Sequence, residues 1–85
     1  MVRTKSGFTA DIGPEVINNM ELVDVLVAME DNPAQVAKLG EMLLGSDGKK
    51  RLYDHLRNDE GIVPMDAYIA EVKEILDLLG DPVKN

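Results

Sequence analysis

The chain has 85 residues, room for one domain, and carries a formal net charge of −7. That charge argues against general nucleic-acid binding, which needs a surplus of Lys and Arg on one face, and it suits solubility or a basic partner. There is no Cys, so disulfides and thiolate metal sites are excluded. No apolar run approaches the ~20 residues of a membrane span, and the first residues, Met1–Asp11, lack the apolar stretch of a secretory signal. The expectation is a cytosolic protein without membrane contact. Aromatic residues are limited to Phe8, Tyr53 and Tyr68. The core must then come from Leu, Val, Ile, Met and Ala, a composition suited to helix packing.

Residues 1–12 read as an extended or flexible N-terminal segment. Phe8, Ala10 and Ile12 alternate with Thr9 and Asp11, the period of a half-buried strand. Gly13-Pro14 interrupts this pattern, and Pro14–Asn18 can make one helical turn, because a proline at the first helical position lacks an N–H that would be unpaired anyway. Asn18 or Asn19 can cap a first helix over Met20–Glu30, its side-chain oxygen accepting a first-turn N–H. Leu22, Val23, Leu26 and Met29 form the stripe of that helix. Val25 and Val27 widen it, which makes them either further core or a self-association surface.

Asn32-Pro33 restarts the chain, with Asn32 as cap and Pro33 as first helical residue. Val36, Leu39, Met42 and Leu43 make the apolar face of this second helix. Gly40 inside it costs about 1 kcal/mol against Ala, which a close helix crossing at that point would explain. Gly45 is a stop signal, and Ser46 or Asp47 can cap a third helix running to about Arg57 with Leu52 and Leu56 inward. Asn58–Gly61 has turn chemistry. Val63-Pro64 opens a fourth helix, whose residues Met65, Tyr68, Ile69, Val72, Ile75, Leu76 and Leu79 are the strongest periodic signal present. Gly80-Asp81-Pro82 ends it, and residues 81–85 are expected to form a frayed tail. The fold class is therefore all-α: one domain over 1–85, a compact bundle of about four short helices with a short extended N-terminal segment.

Catalytic and metal chemistry find little support. His55 is alone, and adjacent Asp54 diverges from it by about 100° on a helix. The carboxylates do not follow calcium-loop spacing, and the glycines fit no phosphate loop. No cofactor, metal or catalytic residue is expected, and the chain reads as a non-enzyme.

Lys49, Lys50, Arg51 and Arg57 form the one basic cluster. A helix after a turn bearing basic residues resembles a DNA reader, but Asp47, Asp54, Asp59 and Glu60 flank it. The alternatives are a solvated face with internal ion pairs and a protein-partner surface. Lys49, Lys50, Tyr53 and Arg57 are the candidate partner-binding residues, since Tyr and Arg commonly anchor interfaces.

The words of this region carry a resemblance. Leu44-Gly45, Lys49-Lys50-Arg51-Leu52-Tyr53-Asp54-His55-Leu56-Arg57 and Glu60-Gly61-Ile62-Val63-Pro64 resemble the tail assembly chaperones of long-tailed phages and prophages of Gram-positive hosts. The likeness extends through Lys5-Ser6-Gly7-Phe8 and Asn19-Met20-Glu21-Leu22 upstream, and through Glu71, Glu74-Ile75 and Lys84-Asn85 downstream. Leu76 stands where the resemblance leads one to expect an aromatic. The resemblance implies a non-enzymatic protein of the host cytoplasm that coats and solubilises the tape-measure protein during tail morphogenesis and is absent from the mature virion. A small acidic adaptor for another protein is the competing reading, and a helical DNA-binding protein a second.

Overall fold

The computed structural model describes residues 1–80, so the expected tail over 81–85 lies outside the described residues. The described residues are mostly helical, with three helices and a two-stranded sheet. Strand β1 (Val2–Arg3) pairs antiparallel with β2 (Thr9–Ala10), matching Val2 with Ala10 and Arg3 with Thr9. A 3-10 turn at Pro14–Ile17 leads to α1 (Met20–Asp31), and a second at Pro33–Gln35 leads to α2 (Val36–Leu56); α3 is Met65–Leu79. Helix α2 is central and packs on both α1 and α3, while β1 packs on α3.

The N-terminal segment is folded into the core. Val2, Phe8, Ala10 and Ile12 are buried while Asp11 is exposed, as the alternation predicts. Its two strands close through backbone bonds from Thr4 N–H to the Phe8 carbonyl (2.9 Å) and from Gly7 N–H to the Thr4 carbonyl (3.0 Å).

Local signals set most helix ends. Asn19 caps α1, its side chain accepting from Glu21 N–H at 3.0 Å. The Asn32 side chain accepts from Ala34 N–H at 3.2 Å, but Pro33 opens a 3-10 turn and α2 proper begins at Val36. Pro64 likewise sits one position earlier than expected, as the extended residue before α3, and its carbonyl accepts from Tyr68 N–H. In α1 the buried residues are Leu22 and Val25, with Leu26 and Met29 packed beside them. Val27 is 56% exposed, so Val25 and Val27 belong to opposite sides of the helix.

The expected bundle of about four helices is corrected to three. The second and third expected helices run on as one 21-residue element, broken in backbone conformation at Gly45 (φ 74°, ψ 172°). Glycine alone enters this region without strain. The break is made by Gly45 itself, and no side-chain cap from Ser46 or Asp47 is needed.

Gly40 is the expected close crossing. A Cβ built there would overlap the Tyr68 hydroxyl oxygen and lie 2.7 Å from Tyr68 Cζ. The absent side chain lets α3 place a tyrosine ring directly against the α2 backbone.

Candidate functional site

Tyr53 is the centre of the candidate surface. It lies on the last half of α2, half-buried, with its ring edge-on to Tyr68 of α3 (centroids 5.3 Å apart, planes at 66°). Such a pair contributes about 0.5–1.5 kcal/mol beyond its area. On the other side, Lys49 Nζ lies 5.5 Å from the Tyr53 ring centroid, one helical turn away, within range of a cation–π contact.

Tyr53 is also a wall between two depressions. One is an apolar cleft of about 380 Å³, lined by Ala34, Val36, Ala37, Val63, Met65 and the two tyrosines. The other is a shallow groove lined by Glu41, Ser46, Lys49, Lys50 and Tyr53. Ile62 and Met65, each 56% exposed, extend the apolar surface at the start of α3.

The Tyr68 hydroxyl is buried and has no hydrogen-bond partner among the described residues. Its pKa is pushed up to about 12, first by burial, then by the neighbouring Tyr53 and Glu41.

The four candidate residues separate into two groups. Lys49, Lys50 and Tyr53 share the shallow groove with Glu41. Arg57 is engaged within the chain: Nη1 donates to the Gly61 carbonyl at 2.9 Å, and Nη2 pairs with Asp54 at 3.3 Å. It clamps the loop after α2. Asn58 completes that loop, its side chain accepting from Glu60 and Ile62 N–H. Arg51, the remaining member of the basic cluster, donates to the Thr9 carbonyl at 3.2 Å and lies over the Phe8 ring at 5.3 Å.

A second cluster was not legible in the sequence. Thr4 and Ser6 both donate their hydroxyl protons to Oε1 of buried Glu71, at 2.8 and 2.7 Å. His55 Nε2 lies 3.0 Å from Ser6 Oγ. The serine has one proton and spends it on the carboxylate, so the imidazole N–H is the donor in that contact. The resulting order is His–Ser–Glu with serine in the middle. In a hydrolytic triad the base lies between serine and carboxylate and accepts the serine proton. The order found here fixes the hydroxyl and ties the hairpin to α2 and α3. Lys5 N–H adds a bond to Glu74 at 2.7 Å.

Among the described residues, no group of three or more His, Asp or Glu is placed to hold a metal ion, and no helix is long and apolar enough to cross a membrane. No protein-family model, no curated protein and no solved structure matches this chain.

Proposed function

We propose that this protein is a non-enzymatic tail assembly chaperone of a long-tailed phage or prophage, acting in the host cytoplasm on the tape-measure protein. The observation that carries the reading is the gathering of the resemblance-bearing words into one surface. Lys49 and Tyr53 come from one such word and Val63 from another, and Tyr53 and Val63 line the same apolar cleft. A cleft of this kind suits an apolar helix face, the recurrent way in which one helical protein shields another. The proposed contacts are Lys49, Lys50 and Tyr53 directly, with Arg57 holding the loop that leads to Val63 in the cleft wall. An acidic domain that releases its client later needs moderate affinity, and a small cleft provides that.

Co-expression with the tape-measure protein encoded beside it tests the reading. The expected result is co-purification and a gain in soluble tape-measure protein. A tape-measure protein equally soluble without the chain, and no co-purification, would overturn it.

A further inference from the structure

Helix α1 carries an outer face that the core does not use. Met20, Val23 and Val27 fall within about 60° of one another around the helix, on the side away from Leu22 and Val25. Met20 is 70% and Val27 56% exposed, and Val23 is half-buried without joining the core. Carboxylates flank this ridge on both sides: Asp24 and Asp31 on one, Glu30 on the other, all exposed. With Glu21 they make four acidic residues on a helix that has no Lys, Arg or His. Among the described residues none of the four makes an ion pair. The cations beside them are Lys38, in a depression with Glu21 and Asp24, and Lys73, in a groove with Glu30 and Asp77. Carboxylates outnumber lysines in both places, so the face stays negative.

We infer that this face docks a basic amphipathic helix of another protein, its apolar stripe on Met20, Val23 and Val27 and its Lys or Arg residues on the flanking carboxylates. The face runs about 16 Å from Met20 to Asp31, the length of about three turns of a partner helix. Charge decides among the occupants. A nucleic acid or an anionic membrane surface meets like charge here and is repelled. A second copy offers no match: its own α1 is equally acidic, its Arg51 and Arg57 are held within the chain, and Lys49 and Lys50 share their groove with Glu41. An apolar ridge alone would accept any apolar surface, but carboxylates on both flanks select one bordered by cations on both sides. The exposed charge pairs orient the partner and speed its arrival, and the covered ridge keeps it in place. The face shares no residue with the Tyr53 cleft, so the inference goes beyond the chaperone reading and stands without it.

The probe is a synthetic peptide of Leu and Lys, about 18 residues long, with its leucines at helical spacing. A control peptide of the same composition alternates Leu with Lys, which keeps the charge and abolishes the helical stripe. Backbone amide NMR shifts of the whole chain, titrated with peptide to about 1 mM, locate the contact. The helical peptide is expected to move the amides of Met20–Asp31 and to bind about tenfold more tightly than the alternating one, which cannot cover the ridge. Measured by fluorescence anisotropy, Asp24→Asn with Asp31→Asn should weaken binding about 3–10-fold, and Met20→Ser with Val27→Ser about tenfold or more. Shifts centred on the Tyr53 cleft overturn the inference, as do absence of binding, equal binding of the alternating peptide, or either variant binding like wild type. Shifts of α1 amides that grow with protein concentration alone would name a second copy as the occupant and overturn it too. Far-UV circular dichroism confirms that each variant is folded; the four substituted positions are exposed, and the shift map requires no variant.

Discussion

Two buried polar groups have opposite fates, and each yields a prediction. The Tyr68 hydroxyl is buried and gains no partner among the described residues. Tyr68→Phe removes the unpaired group while keeping the ring against Gly40 and Tyr53, and should raise stability by about 1 kcal/mol. The pH dependence has a definite sign. Above the ordinary tyrosine value of about 10 the unfolded chain sheds the proton, whereas the folded one keeps it to about 12. Protons are then bound more by the folded state, and stability falls as pH rises through this window. The advantage of Phe over Tyr should widen above pH 10 in urea denaturation; a constant difference would refute this. Glu71, by contrast, accepts two hydroxyl bonds. Glu71→Leu removes both bonds and leaves the buried Thr4 hydroxyl only its 3.1 Å contact with Ser6 Oγ, which should cost about 2–3 kcal/mol. A loss under about 0.5 kcal/mol would mean that the tie contributes nothing measurable. Only part of this was readable beforehand. Gly40 announced a close crossing, because a glycine inside a helix needs a reason. The hydroxyl tie joins residues 49 to 67 positions apart, and no local spacing records that.

At the scale of elements, short-range chemistry was legible and continuity was not. Asn19 caps α1 because its side-chain oxygen serves a neighbouring N–H, a relation contained in three residues. The alternation over Phe8–Ile12 foretold the buried face of β2. Its partner β1 did not show, because a two-residue strand has no period to read. Gly45 was recognised as a stop, yet the chain continues in a second helical stretch within the same element. The direction taken after a glycine depends on what the following residues pack against. Here Leu52 is fully buried and Arg51 is bonded to Thr9 of the hairpin, which draws the chain onward. Gly45→Ala should therefore destabilise by about 1–3 kcal/mol, although a methyl group there would meet no atom within 4 Å. The whole cost is backbone strain. Thermal unfolding followed at 222 nm decides this, and an unchanged midpoint would show that the break relaxes into ordinary helix.

For the molecule as a whole, the question is how much of the basic cluster remains to act on anything outside. Four cations between Lys49 and Arg57 suggest a patch when counted along the sequence. Folding commits two of them. Arg51 holds the hairpin, and Arg57 holds the loop before α3. What is left is a pair of lysines in the groove beside Tyr53, on a chain of net charge −7. Two phosphate contacts give a logarithmic salt slope of only about −2, too shallow for useful affinity at physiological salt and opposed by the surrounding field. The chain should show no retention of duplex DNA at about 0.15 M salt, and at most weak binding at about 0.02 M. Fluorescence anisotropy against a labelled duplex measures this directly. A slope of about −5 or steeper would require cations beyond the two free lysines. Releasing Arg51 and Arg57 as well would bring the slope only to about −3.6, so such a result would recruit cations elsewhere on the chain and show that the acidic surface does not govern what this protein meets. The same count explains why an apolar partner face is the better match. In the proposed complex two lysines can orient a bound helix but cannot hold it, so affinity would come from burying Tyr53, Val63 and Met65.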